Sequence, residues 1–190
     1  MTGHHTLDET EQAIQRRLGD VPVRRDAMAA VSNIHRAAAA IRQHLESSVL
    51  RGAELTWTAF VVLWVVWIWD EMETRYVAEE AGISKGTLTG VVKTLEGRGL
   101  IERRQHPEDG RLVLLRLTAG GQRLMAALFP AFNAEEAFVV EPLSAEQNRT
   151  LAEVLRSVVG HLEDKSGERR LAQREQSPPP PRRSGRHPRS

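Results

Sequence analysis

Cysteine is absent from this chain of 190 residues. Its absence excludes disulfide bonds, thiolate nucleophiles and cysteine-based redox sensing, and it leaves histidine and carboxylate side chains as the possible metal ligands. Zinc prefers three or four converging ligands. His35 and His44 would lie on opposite faces of one helix, and the sequence contains no HxxxH or HxxE set. We therefore predict no bound metal and no cofactor.

The chain also lacks a hydrophobic run long enough to cross a membrane. A spanning helix needs about 20 consecutive apolar residues, but the apolar run at residues 59–69 is closed by Asp70, Glu71 and Glu73. The N-terminal sequence MTGHHTLDET has neither the basic nor the apolar region of a secretory signal. These absences predict a cytoplasmic protein that makes no contact with the membrane.

Basic charge is concentrated in two segments of the chain. Residues 84–116 carry seven Lys/Arg against four Asp/Glu, and residues 165–190 carry eight against two. The net charge of the whole chain is nevertheless only +1. Charge sorted in this way is typical of a protein that binds a polyanion, although a solvated basic surface has the same composition.

Apolar residues at three- and four-residue spacing predict helices on both sides of the centre of the chain. The first covers residues 26–50, and a second covers residues 57–69, which contain all four tryptophans. Further on, Pro130 should interrupt a third helix. A capping box of Ser144 with Gln147 should begin a final amphipathic helix.

The centre of the chain predicts two short helices followed by a β-hairpin. Gly82 ends the first helix, RYVAEEA, and Ser84 caps the second. The strands LIERRQH and RLVLLRL flank a PEDG turn, in which Gly110 should supply a positive φ. This order is that of a winged helix-turn-helix, in which the second helix enters the major groove and the hairpin reaches the neighbouring backbone or minor groove.

Polar and basic residues of this region are the candidates for contact with DNA. Short donors and acceptors combined with cations suit base edges and phosphates, and around the second helix they are Ser84, Lys85, Thr87, Thr89, Gly90 and Lys93. On the hairpin, positive charge is concentrated at Arg103, Arg104, His106 and Arg111.

Residues 74–121 resemble the core of the MarR family of bacterial transcription regulators. The match consists of LxGRGLIERR, the wing sequence Asp109-Gly110-Arg111, and Leu117-Thr118-x-x-Gly121. The resemblance implies a homodimer whose terminal helices pack together. It also implies that Arg111 enters the minor groove, that Asp109 orients it, and that small, often aromatic, ligands bind between the dimer helices and the DNA-binding lobe.

The predicted fold class is mainly α with a small β-hairpin, a winged helix-turn-helix domain embedded in a helical dimerisation scaffold. Residues 1–25 are an N-terminal extension with a short helix, residues 26–164 are the MarR-like domain, and residues 165–190 are a disordered, basic, proline-rich tail. Within the domain, the dimerisation helices occupy residues 26–55 and 118–164. The winged helix-turn-helix occupies residues from about 56 to 117.

The tryptophans allow two interpretations. At 100° per residue Trp57 and Trp64 lie within about 20° of one another and Trp67 about 60° further round, whereas Trp69 is on the far side. Some of them could fill the core of one subunit, or they could form the wall of a pocket for a planar aromatic or phenolic effector. Together with His35, on the flank of its helix, the candidate ligand-binding residues are Trp57, Trp64 and Trp67.

These features predict a regulator of transcription rather than an enzyme. A dimeric repressor would bind a pseudo-palindromic operator of double-stranded DNA through residues 84–97 and 100–117, and a small aromatic effector would release it. Gly82-x-Ser84-x-Gly86 also matches the nucleophile elbow of serine hydrolases, but a helical segment precedes it where that motif requires a strand. An interaction adaptor that does not bind DNA is the other alternative.

Overall fold

A computed structural model describes residues 6–176 of the chain. In this range the elements are α1 (Leu7–Leu18), α2 (Arg25–Ser48), a short 3₁₀ helix (Leu50–Ala53), α3 (Trp57–Trp69), β1 (Glu71–Glu73), α4 (Thr74–Glu80), α5 (Lys85–Gly97), β2 (Ile101–Gln105), β3 (Val113–Leu117), α6 (Ala119–Val139) and α7 (Ala145–Gln176). The chain folds as two units, which divide between Val139 and Val140. The predicted fold class is confirmed: the protein is mainly helical and has one small antiparallel sheet.

Side-chain caps begin the helices where the sequence predicts them. Thr56 Oγ1 accepts a hydrogen bond from the Ala59 N–H at 3.2 Å at the start of α3. Before α7, the Ser144 N–H donates to Gln147 Oε1, and Ser144 Oγ accepts from the Gln147 N–H. Such caps satisfy N–H groups that have no partner within the first helical turn, so they determine where α3 and α7 begin.

Helix α3 is the centre of the hydrophobic core of the first unit. Val62, Leu63 and Val66 on this helix are completely buried. A helix that is apolar around its whole circumference is stable only when its neighbours cover it. The covering side chains come from α4, α5, the sheet and α6, and they include Val77, Leu88, Val92, Leu95, Leu115, Leu117, Met125 and Phe132. None of the helices between residues 6 and 176 is both long and apolar enough to cross a bilayer.

The sheet contains a strand that the sequence analysis does not predict. β3 pairs antiparallel with β2, as expected for the hairpin, and it also pairs with β1 on its other edge. β1 has the sequence EME, which contains no β-branched residue and is shorter than the runs of four to eight residues that indicate a strand. It is held by its pairing with β3, a distant partner that local composition cannot reveal.

Helix α6 runs through Pro130 without interruption, so the predicted break is wrong. Phe129 and Phe132, on either side of the proline, stack with Trp64 and Phe60 of α3. An internal proline costs a helix about 3 kcal/mol, and the burial of Phe132 together with the partial burial of Phe129 supplies a stabilisation of similar size. Packing therefore overrides the local preference for a break.

The predicted disordered tail is wrong for residues 165–176, because α7 continues to Gln176. The segment KSGERRLAQREQ consists largely of good helix formers, and Lys165 Nζ lies 3.5 Å from Glu168 Oε2 one turn later. The proline run begins only at Pro178, so the composition that indicates disorder applies to the end of the segment and not to its first twelve residues. Residues 177–190, where the rest of the predicted tail falls, lie outside the described residues.

Candidate nucleic-acid interface

Helix α5 buries one face and exposes the other. Leu88, Val92 and Leu95 are buried against α3 and α4. All six predicted DNA-contact residues on and just before the helix are exposed: Ser84, Lys85, Thr87, Thr89, Gly90 and Lys93. A helix with an uncovered polar face after a tight turn is typical of the second helix of a helix-turn-helix, which enters the DNA groove.

The turn between α4 and α5 is defined by Gly82 and Ser84. Gly82 has a φ of 63°, which glycine adopts without strain. Ser84 Oγ accepts a hydrogen bond from the Thr87 N–H at 3.1 Å and lies 2.8 Å from Thr87 Oγ1. Because a helix precedes Ser84, the strand-to-helix turn of a nucleophile elbow is not formed there. Ser84 serves as a helix cap.

Two features of α5 determine which chemical groups it can present to a DNA duplex. The Thr89 hydroxyl donates to the Lys85 carbonyl at 2.9 Å, so that its oxygen lone pairs and its methyl group remain for base edges. The Lys85 and Lys93 ammonium groups form no hydrogen bond or ion pair with any other residue that the structure describes. Both cations are therefore available to phosphates.

The wing formed by β2, β3 and their turn holds its arginines in different ways. Arg103 Nε lies 3.3 Å from Glu96 Oε2, and Arg104 Nε lies 3.7 Å from Glu102 Oε1. Arg111 is exposed, and its guanidinium has no partner within residues 6–176. Arg111 is thus the cation at the tip of the wing that needs no rearrangement to meet a phosphate or a groove.

Side chains close the turn of the wing. His106 Nδ1 accepts the N–H groups of Glu108 and Asp109 at 3.2 and 3.3 Å, and Asp109 Oδ1 accepts the N–H of Arg111 at 3.0 Å. Gly110 has no positive φ, so that prediction is wrong. The His106 side chain thus stabilises the backbone of the turn. Asp109 orients Arg111 by accepting the backbone N–H of Arg111.

A cavity of about 310 Å³ separates α5 from the wing. Its walls are formed by Thr74, Arg75, Lys85, Leu88, Thr89, Val92, Arg103 and Val113. Arg75 was not among the predicted site residues, because it precedes the basic segment. Its Nε lies 2.8 Å from Glu73 Oε2, and its guanidinium lies 4.3 Å from the centre of the Tyr76 ring. Three basic side chains therefore surround this cavity.

A second cavity, of about 300 Å³, lies between α3 and α6. It is lined by Trp57, Phe60, Val61, Trp64, Phe129, Phe132 and Glu136. The rings stack in a continuous cluster, with centroids 4.2 Å apart for Phe60 and Phe132 and 4.8 Å apart for Trp64 and Phe129. The cavity therefore presents ring faces and one carboxylate.

Comparison with known proteins identifies the family. The family model for MarR matches residues 55–113. The HTH-type transcriptional regulator YwaE of Bacillus subtilis is 32% identical over 162 residues, which cover 84% of this chain and 95% of that protein. The chain belongs to the MarR family.

Solved structures of the MarR family have the same fold. A mutant of MarR from Escherichia coli, complexed with operator DNA, aligns with a TM-score of 0.65 at 22% identity over 70% of this chain and 95% of that chain. The PcaV regulator of Streptomyces coelicolor in complex with its natural ligand aligns with a TM-score of 0.59 at 25% identity, over 75% and 94% of the two chains. This MarR-family chain is a DNA-binding transcriptional regulator.

The structure of this MarR-family regulator brings together three of the four predicted ligand-binding residues. Trp57 and Trp64 line the cavity between α3 and α6, and Trp67 packs on Trp64 with ring centroids 5.7 Å apart. His35 is exposed on α2 and does not line this cavity. The α6 residues of the lining were missed, because nothing in the local sequence of α6 indicates that it faces α3.

Proposed function

We propose that this MarR-family regulator is a dimeric repressor without enzymatic activity, which acts in the cytoplasm on a pseudo-palindromic operator. The observation that carries the proposal is a group of three exposed cations, Lys85, Lys93 and Arg111, whose charged groups have no partner among residues 6–176. Cations in this state can neutralise phosphates without first opening an ion pair. Helix α5 would lie in the major groove, and Arg111 would enter the adjacent minor groove, where the negative potential is strongest at narrow A·T sequences.

Exposed apolar side chains support dimerisation. Taken by itself, α7 leaves every residue from 149 to 159 exposed, and its apolar stripe consists of Leu151, Val154, Leu155, Val158 and Leu162. An uncovered apolar stripe of this length marks an interface with another protein surface. A symmetric dimer would cover this stripe, and it would place two α5 helices about one DNA turn apart.

The cavity between α3 and α6 supports a small aromatic or phenolic effector. Its volume of about 300 Å³ is at the lower end of the range of small-molecule sites, and its ring faces match a planar ligand. Such a ligand would release the repressor if it bound more tightly to the form whose α5 helices are wrongly spaced for DNA. A ligand shifts an equilibrium only by its difference in affinity for the two states.

The operator part of the proposal is tested by selecting genomic fragments and measuring their binding by fluorescence anisotropy. We expect saturable binding whose affinity falls linearly with salt on logarithmic axes, and release by phenols or aromatic acids that fit the cavity. A protein that retains no fragment at low salt would contradict the proposal and favour the adaptor alternative.

The dimer is tested by Val158→Glu on the apolar stripe of α7. This change should convert a dimer into a monomer in analytical ultracentrifugation and abolish tight operator binding, because one half-site alone contributes too few contacts. Arg156→Glu is the matched control, since residue 156 is about 200° from residue 158 around the helix. Equal dissociation by both variants, or by neither, would contradict the assignment of this stripe to the dimer interface.

A further inference from the structure

Arg98 follows α5 at its C-terminal end and bonds to a distant part of the backbone. Its Nη1 donates to the carbonyl of Glu54 at 2.7 Å, and its Nη2 donates to the carbonyl of Ala53 at 2.9 Å. These acceptors lie at the end of the 3₁₀ helix, directly before α3. A guanidinium is a rigid planar fork, so two bonds to neighbouring carbonyls fix both the position and the direction of the side chain.

The acceptor segment has a conformation that requires support. Glu54 has a φ of 54°, in the left-handed region that residues other than glycine rarely adopt. Residues in this conformation persist only where surrounding contacts hold them. The two Arg98 bonds hold the carbonyls on either side of the bend, so the bend before α3 and the end of α5 stabilise one another.

The end of α5 is also fixed on the side of α6. The Thr118 hydroxyl donates to the Gly99 carbonyl at 2.6 Å, and the Thr118 N–H donates to the Leu100 carbonyl at 3.1 Å. Gly121 packs so closely that a Cβ there would overlap the Leu100 carbonyl oxygen. The chain leaving α5 is therefore tied to the start of α6 by Thr118 and to the start of α3 by Arg98.

These contacts define the direction of α5 at the end opposite to its proposed DNA contacts. Thirteen residues of helix span about 20 Å, so a small rotation at Arg98 displaces Lys85 and Thr89 by a much larger amount. Base edges are read only at hydrogen-bonding distance, whereas phosphate attraction tolerates displacement. A change at Arg98 should therefore reduce recognition of sequence more than general attraction to DNA.

We infer that Arg98 is a positioning residue for operator recognition, which orients α5 by bonding the 3₁₀ helix and makes no contact with DNA. The inference rests on the proposed binding of the operator through α5. The competing role is that of a phosphate contact, since Arg98 is exposed and basic and lies between α5 and the wing. The two roles differ in what they require: positioning needs the planar fork, whereas a phosphate contact needs only the positive charge.

Arg98→Lys and Arg98→Ala separate these roles when operator and scrambled DNA are compared across a salt series. Positioning predicts that both variants lose about tenfold in operator affinity, the effect of one misplaced base contact of α5. It also predicts that their affinity for scrambled DNA and their salt slopes match those of the parent. A phosphate contact predicts that Lys binds like the parent and that Ala flattens the slope by about one, and this result would overturn the inference. Arg17→Ala, at an exposed position of α1, is the control for loss of a positive charge.

A second variant distinguishes orientation from simple loss of stability. Glu54→Gly removes the strain of the left-handed bend, so adding it to Arg98→Ala should restore the melting temperature while operator affinity stays low. If the double variant recovers the parent's affinity as well, Arg98 serves only the fold and the inference is wrong. A parent protein that selects no operator would instead overturn the proposed function itself.

Discussion

Strand β2 of the wing (Ile101–Gln105), which we call its base, and the turn at its tip carry the same type of side chain in different states. At the base, Arg103 and Arg104 lie beside Glu96 and Glu102, at 3.3 and 3.7 Å. At the tip, the guanidinium of Arg111 has no partner among residues 6–176. An arginine at the base can neutralise a phosphate only after its carboxylate has moved away, and that carboxylate itself repels the phosphate. The availability of each cation therefore matters more than the number of cations in the segment.

The tip also has a more defined geometry than the base. Asp109 and His106 accept backbone N–H groups within the turn, so the backbone that carries Arg111 is held before DNA arrives. The pairs at the base are exposed and contribute about 0 to 1 kcal/mol each. We therefore expect Arg111 at the tip to contribute more to the affinity for DNA than Arg103 and Arg104 at the base.

The largest effect should come from Arg111→Ala. Loss of the unpaired cation at the tip should weaken operator binding by about 1 to 3 kcal/mol and reduce the salt slope by about one, as measured by fluorescence anisotropy. Arg104→Ala is the matched control at the base and should cost less, because the carboxylate of Glu102 already offsets part of the Arg104 charge. Equal losses for the two variants would abolish the distinction between base and tip.

A smaller effect is expected when the geometry of the tip is changed and its cation is kept. Asp109→Ala removes the acceptor of the Arg111 N–H, so operator affinity should fall by about 0.5 to 1.5 kcal/mol with the salt slope unchanged. Asp109→Asn retains an acceptor oxygen and should bind at least as well as the parent. An Asn variant as weak as the Ala variant would show that the charge of Asp109 matters, rather than its hydrogen bond.

The smallest effect should come from releasing a cation at the base. Glu96→Gln removes the partner of Arg103, which should raise DNA affinity at low salt by up to about 1 kcal/mol. Glu108→Gln is the control, because it removes an equally charged side chain of the wing that has no ion pair in the described structure. If both variants gain the same affinity, the ion pair between Arg103 and Glu96 has no effect on DNA binding.

Features encoded by neighbouring residues could be predicted from the sequence. The caps at Thr56 and Ser84, the apolar face of α5 and the β2–β3 hairpin all depend on residues a few positions apart. The same holds for the end of the first short helix at Gly82. Local hydrogen bonding and periodicity are enough to identify these elements, and they include the whole helix-turn-helix.

Features that depend on distant partners could not be predicted. β1 exists because β3 pairs with it, Pro130 is tolerated because α3 offers aromatic rings to its neighbours, and Arg98 bonds to carbonyls 44 and 45 residues away. The pairing of Arg103 with Glu96 likewise joins two different elements. Charge counting along the chain treats such an arginine and an unpaired one as equal, and only the fold distinguishes them.

All four tryptophans of the chain belong to α3, and Trp57, Trp64 and Trp67 join the rings of α6 beside the cavity. No indole is present in α4, α5 or the wing. Three of the four indoles therefore lie beside the cavity, whereas Trp69 is exposed at the end of α3. Tryptophan emission thus monitors the cavity more than the surface of α5 and the wing. Binding of an aromatic compound between α3 and α6 can be followed without a label by quenching of this emission. A dye on the DNA reports binding of the operator in the same sample.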